Sequence, residues 1–276
     1  MAVITISRQV GSLGDEVART LAGELGYQLV GANELKEVAC GLDPRFAAEA
    51  KDLQMERGLS VLERLFFAQP VYTSLYAAVI LEVASRGGVV IIGRGSQVVL
   101  REAPQVLRVR VVAPTALRVA RVAQAMAIDA EEARARVERH DQERRALVRQ
   151  IFDHDLRDWG LYHLVLNTES LDQAGAVAIL KKAVAEVRRL HPDERLREAL
   201  QPLAVAKLIE ARLRQELLRS NLLKAELAGD GSIHLTGYLY TAEEGEKAES
   251  LARDLAGSIP VVNRIRVSSL NLSWPV

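Results

Sequence analysis

Short apolar runs alternate with helical periodicity over the first two thirds of the chain. Val3 to Ser7, Val89 to Ile92, Leu107 to Ala113 and His163 to Asn167 are β-rich and of strand length. Nearly continuous apolarity, rather than strict alternation, is the pattern of strands buried on both faces. Between these runs the period changes. After Gly14, the residues Val17, Leu21 and Leu25 fall near one helical face, and "PVYTSLYAAVILEVASRGG" reads as a buried helix closed by Gly87 and Gly88. "DAEEARARVERHDQERRALVRQIF" reads as a long charged helix, with Asp129 as its cap and Glu132 completing a capping-box-like pair. Strands alternating with helices predict an α/β fold, a parallel sheet covered by helices, from Met1 to about Leu190.

The pattern then shifts. Beyond "RRLHPDERLREALQP" comes a helix from about Ala204 to Arg219, strands near Lys224 to Leu227 and Ser232 to Tyr240, a helix from Ala242 to Leu255 and a strand from Arg264 to Val267. Gly231 supplies a turn, and Thr241 with Glu244 has capping-box spacing. This αββαβ order describes a small α+β domain. The expected division is residues 1–191, a linker at 192–202, and residues 203–276.

Composition narrows the setting. At 276 residues and 49% hydrophobic content, two ordinary cores are affordable, and Lys plus Arg equal Asp plus Glu at 36 each. No global basic field argues for nucleic-acid binding, so anion binding must be local. A single cysteine, Cys40, excludes an internal disulfide framework and reads as a buried helix thiol. His140 has no second His or Cys at ligand spacing, so no metal site is expected there. No basic leader and apolar signal core open the chain, and no run reaches membrane-spanning length, from which a cytoplasmic protein is expected.

The chemistry starts in "ITISRQVGSLGDEVARTLAGELGY". A strand passes through a loop with Gly11 and Gly14 into a helix, a junction that turns backbone N–H groups and a helix N-terminus toward an anion. A full P-loop reads GxxxxGK[ST], in which lysine reaches the outer phosphates and the hydroxyl holds Mg²⁺. Here Gly14, Asp15 and Glu16 stand at those positions. The loop is suggested without its usual cation, and Arg8 or Arg94 is left to substitute. Acids in a first helical turn also stabilise the helix dipole by ~0.3 to 1 kcal/mol with no ligand at all.

That stretch, with "VVIIGRGSQVVLREAP", "LRVRVVAPTALRVARV", "RHDQERR" and "DWGLYHLVLNTESL" in order, resembles the cytidylate kinase-like family of P-loop nucleoside monophosphate kinases over about the first 190 residues. The resemblance implies ATP phosphates, with Mg²⁺, at Arg8, Gly11, Ser12 and Gly14, and a CMP or dCMP acceptor. It further implies an arginine-bearing lid: Arg94, Arg139 and Arg144 neutralise charge in transfer, Arg145 contributes to nucleotide binding, and Asp141 orients Arg144 or Arg145. The chain departs from the family at Ala32, where relatives carry an acid, and at Gly95, where they read Gly-Arg-Asp. A solvated helix face stitched by Glu/Arg pairs is the competing account of Arg139, Arg144 and Arg145.

"AKLIEARLRQELL", "AELAGDGSIHLTGYLYTAEEGEKAESLARDLAGS" and "VVNRIRV" resemble a BON domain, which implies a phospholipid- or partner-binding module. A dimerisation or regulatory module is the alternative, and homo-oligomerisation stays open. Two main readings follow for the whole chain: an ATP-dependent CMP/dCMP kinase, or a noncatalytic nucleotide sensor with a degenerate P-loop coupled to the BON-like module. A scaffold that binds no nucleotide is a third.

Overall fold

The computed structural model describes residues 2–42, 44, 70–191, 196–217 and 222–267. The chain forms two compact units, Met1–Ala68 with Val83–Arg197, and Gln69–Glu82 with Glu198–Val276.

The first unit holds strands β1 (Val3–Arg8), β2 (Gln28–Val30), β3 (Val89–Ile92), β4 (Val106–Val112) and β5 (Leu164–Asn167). They lie in the order β2-β3-β1-β4-β5, and every pairing is parallel. The sequence-predicted strands are all present; β2, too short to register as a run, is additional. Helices in this unit are α1 (Gly14–Leu25), α2 (Ala32–Leu42), the end of α3 (Pro70–Ser85), α4 (Ser96–Val99), α5 (Thr115–Met126), α6 (Ala130–Phe152) and α7 (Gln173–Leu190). On one face of the sheet Ile4, Ile6, Val90, Leu107, Val109 and Val111 pack with Val17 and Leu21 of α1 and Val177, Leu180 and Val184 of α7. Each such side chain contributes roughly 1.5 to 3 kcal/mol of burial. This fixes β1 at the centre and points its C-terminal end at the glycine loop.

Helix α6 begins where Asp129 predicts, its carboxylate accepting from the amides of Glu131 and Glu132. Glu132 bonds Arg136 instead, at 3.2 Å, so the expected pair is replaced by an i,i+4 bridge. Cys40 lies in α2, half-buried rather than fully enclosed.

The second unit contains the start of α3, α8 (Leu196–Glu216), β6 (Lys224–Leu227), β7 (Ile233–Leu239), α9 (Ala242–Ala256) and β8 (Val261–Val267). β6 and β7 pair antiparallel, β7 and β8 parallel. The αββαβ order is as expected, and Thr241 and Glu244 form the reciprocal capping box. The expected linker is helical from Leu196 onward, with Pro202 inside α8, and its first residues fall outside the described set. Ile209, Leu213, Leu223, Ile233, Leu235, Ala248 and Ala252 make the core. Beside it the Glu210 carboxylate accepts from Ser74 of α3 at 2.7 Å and from the Ala225 amide at 3.3 Å, and pairs with Arg214 at 2.8 Å and Lys207 at 3.1 Å.

Candidate active site

The loop between β1 and α1 is shaped from outside. Arg118 donates to the carbonyl of Val10 (3.4 Å), Arg121 to that of Gly11 (3.2 Å), and the Thr168 hydroxyl to that of Ser12 (2.9 Å). Arg121 is itself fixed on Thr168, at 3.0 Å to its hydroxyl and 2.9 Å to its carbonyl. Since C=O and N–H of one trans peptide point in opposite directions, holding the Val10 and Ser12 carbonyls turns the amides of Gly11 and Leu13 to the opposite side. The Ser12 amide and hydroxyl both return to the Gln9 carbonyl, at 3.2 and 2.7 Å. The amides of Gly11, Leu13, Gly14, Asp15 and Glu16 meet no acceptor among the described residues. Five open donors at the N-terminus of a 12-residue helix are groups of the kind that can receive an anion, and this loop is called the seat below. Leu13 takes a left-handed φ of 62° to make the corner, a conformation costing an L-residue ~1 to 2 kcal/mol.

A cation from the strand end lies across the loop. Arg8 leaves the end of β1, crosses above Gly14 and ends against Gly93. A Cβ on Gly14 would stand 2.4 Å from the Arg8 Cβ, and one on Gly93 would stand 2.7 Å from its Nη1. Both positions must be glycine for the guanidinium to lie there, so a lysine at position 14 and Arg8 exclude each other. Arg8 Nε donates to Asp15 Oδ1 at 2.8 Å. Asp15 is therefore more than a helix-dipole acid: it holds the arginine beside the seat.

The three arginines expected in a lid part company. Arg144 Nη1 donates to the Arg8 carbonyl at 2.9 Å, placing it at the loop. Arg139 and Arg145 are exposed. Arg139 lies with Glu132, Arg136 and His140 along a shallow cavity of about 420 Å³, and Arg145 caps back onto the Asp141 carbonyl at 3.0 Å. The Asp141 carboxylate pairs with the buried Arg118 at 3.0 Å, not with Arg144 or Arg145 as expected. The reason is helical phase, since Asp141 follows Ala133 and Val137 at four-residue steps on the buried face of α6.

Arg94 occupies a left-handed position, φ 60°, between Gly93 and Gly95 at 67° and 69°, just past the end of β3. Gly93 extends the ladder through its amide to the Ile6 carbonyl, 2.9 Å, and its own carbonyl accepts the Ser96 hydroxyl at 2.8 Å. At Gly95 the missing acid has a packing explanation: a Cβ there would lie 2.1 Å from the Phe152 ring. Phe152, at the end of α6, packs with Val98, Val148, Leu156, Leu161 and Tyr162.

Sequence reasoning did not single out Arg118, Arg121, Thr168 or Phe152. Two arginines one helical turn apart in the otherwise apolar "LRVARV" were the available signal for the first pair. Thr168 and Phe152 carried none. Among the described residues no group of three or more His, Cys, Asp or Glu stands together as a metal cluster, and no helix is long and apolar enough to cross a membrane. The open amides fit a polyphosphate. Mg²⁺ would come to this loop on those phosphates.

The profile of the cytidylate kinase-like family matches residues 3–170. The cytidylate kinase of Methanopyrus kandleri is 30% identical over 190 residues, 66% of this chain and 92% of that one. The cytidylate kinase of Pyrococcus horikoshii is 28% identical over 182 residues, 66% of this chain and 88% of that one. A solved structure of an uncharacterized protein from Eubacterium ventriosum aligns with a TM-score of 0.50 at 18% identity, over 67% of this chain and 99% of that one, a likeness of fold. With a parallel sheet, an anion seat at the end of its central strand and these matches, the chain belongs to the cytidylate kinase-like family.

Proposed function

We propose that the protein is a nucleoside monophosphate kinase that moves the γ-phosphoryl group of ATP to CMP or dCMP. The observation that carries this reading is the loop itself, five open amides beside an arginine threaded between two glycines. Phosphoryl transfer needs little covalent help from a protein; it needs positioning and positive charge over the phosphate oxygens. The amides would seat the ATP phosphates, and Mg²⁺ bound to them would neutralise charge. Arg8 takes the place of the P-loop lysine, and Arg94 and Arg144 are the further cations of the transfer. Gly11, Ser12 and Gly14 shape the seat, while Arg139 and Arg145 would have to swing from their exposed positions to take part. An acceptor phosphate oxygen attacks the γ-phosphorus as the bond to the β–γ bridging oxygen breaks, giving ADP and a nucleoside diphosphate.

Within the second unit, residues 203–276 are proposed as a BON-like module, binding a phospholipid headgroup or a protein partner. Its support is the αββαβ order and the small mixed sheet.

The test is a coupled ADP-formation assay with ATP, Mg²⁺ and either CMP or dCMP, on the parent and on Arg8→Ala. Turnover by the parent that falls roughly 10²- to 10³-fold in the variant is expected for loss of one charge-stabilising group. ATP binding without turnover on CMP, dCMP, UMP or AMP would overturn the reading.

A further inference from the structure

The face of the sheet opposite the α1/α7 core is unexpectedly polar. Thr5 and Ser7 of β1 stand in register with Arg108 and Arg110 of β4, and all four are buried. Central parallel strands ordinarily carry apolar side chains on both faces. Arg108 is accounted for: its Nε donates to the Leu161 carbonyl at 3.1 Å and its Nη1 to the Arg101 carbonyl, tying β4 to its two flanking turns. Burial lowers its pKa, with Glu102 opposing and Arg101 adding to that shift.

Arg110 is different. It is 7% exposed, and no carboxylate among the described residues lies within ion-pair distance of it. Its protein partners are neutral oxygens, both reached from Nη1: Ser7 Oγ at 2.7 Å and the Tyr162 hydroxyl at 3.4 Å. The guanidinium also lies 5.6 Å from the Tyr162 ring centroid, and the Tyr162 hydroxyl is anchored by donating to the Leu156 carbonyl at 3.1 Å. Nε and Nη2 make no hydrogen bond, yet neither is among the polar atoms sealed from solvent. A guanidinium carries five N–H donors, so the unused edge is a two-nitrogen fork, the geometry that takes an oxyanion bidentately. A buried charge without a counter-ion is costly, and a fold that keeps one pre-oriented on a tyrosine and a serine is organised for an anion from outside.

Position says which anion. Arg110 sits near the carboxyl end of β4 beside Ser7, the residue before Arg8, and ligands of open parallel sheets bind beyond those strand ends. The donor seat lies on the α1 side of Arg8. On the other side α4 packs against β1, and its Gln97, 1% exposed, has no partner at either amide atom. We infer that Arg110 binds the phosphate of the acceptor nucleotide, held for that purpose by Ser7 and Tyr162. This rests on the kinase reading for the identity of the acceptor, not for the existence of the anion site.

Calorimetric titration of the full chain with CMP, cytidine, inorganic phosphate and ATP, on the parent, Arg110→Met and Arg110→Lys, tests it. Methionine keeps length without charge, so Arg110→Met should melt no lower than the parent while binding CMP at least tenfold more weakly. Lysine keeps the charge but not the fork and should weaken CMP by about fivefold. Cytidine and ATP affinities should stay within twofold in both variants. If the parent binds inorganic phosphate but not CMP, and Arg110→Met loses the phosphate, the anion site stands and the choice of CMP fails with the kinase reading. CMP or phosphate affinity unchanged in Arg110→Met overturns the inference. So does a variant that melts lower while keeping its ligands, or a parent that binds neither.

Discussion

At the scale of single residues, the loop resolves a conflict between charge and conformation. Asp15 and Glu16 at a helix start favour the dipole, and in a phosphate site they repel the ligand. Pairing with Arg8 at 2.8 Å changes the role of Asp15, since the same carboxylate both stations the arginine and competes for it. The pair is 9% and 43% exposed at its two side chains, so solvent screens it and its worth is at most about 1 kcal/mol. Phosphate must displace that bond to use Nε. Asp15→Asn is therefore expected to raise ATP affinity by up to about fivefold in a calorimetric titration. A lower affinity with the fold intact by circular dichroism would show that Asp15 positions Arg8 more than it restrains it. The reach of Arg8 was not legible in sequence, where Gly14 read as an absent lysine. Gly93, the other wall of its slot, comes from a strand end far along the chain.

At the scale of elements, helix α6 is held at two places. Near its middle Asp141 pairs with Arg118 of α5, a bridge at side-chain exposures of 18% and 4%. At its end Phe152 fills the space over Gly95. An acid at position 95 could not enter here without displacing the ring, so the glycine and the phenylalanine are one packing arrangement. Gly95→Ala should cost roughly 1 to 3 kcal/mol for overpacking, plus ~1 for the left-handed backbone, in urea denaturation. In a Phe152→Ala background only the backbone part should persist, giving a coupling of about 1 to 3 kcal/mol. Additive losses would mean the ring and the glycine are independent. The element boundaries themselves were largely readable. Asp129 and Thr241 announce helix starts because caps are local chemistry, and β1, β3, β4 and β5 announce themselves as short runs rich in β-branched and apolar residues.

At the scale of the whole molecule, the chain contributes to its second unit twice, first through Gln69–Glu82 and again from Glu198. Glu210 joins the two passages through Ser74. Burial pushes its carboxyl upward, but Lys207, the Ser74 hydroxyl and Arg214 outweigh that and hold it below the ordinary carboxylate value of 4.5. The unfolded chain thus binds the proton more readily than the native one. The stabilisation is present above the ordinary value and is lost as pH falls through the lowered one. Hydrogen exchange resolved to α8 and β6 should show their protection declining on that acid limb in the parent. In Glu210→Gln the decline should be flattened. Glu210→Ala at neutral pH should cost about 3 to 5 kcal/mol, because the buried Arg214 loses its ion pair with Glu210. An acid limb unchanged in Glu210→Gln would remove Glu210 from the account.

What the sequence determined by itself is whatever repeats or caps locally: the α/β alternation, the αββαβ tail, the strand-loop-helix with its two glycines, and the ordered motifs of the family. What only the tertiary structure decided is which distant groups meet. The sheet order β2-β3-β1-β4-β5 puts Gly93 beside Arg8 and Arg110 beside Ser7. Arg118 and Arg121 of α5 and Thr168 beyond β5 meet at the loop and hold three of its carbonyls. Periodicity reports whether a residue is buried, through the free energy of removing apolar surface from water. It carries no information about the partner a buried charge will find, because that partner is set by the path of the chain.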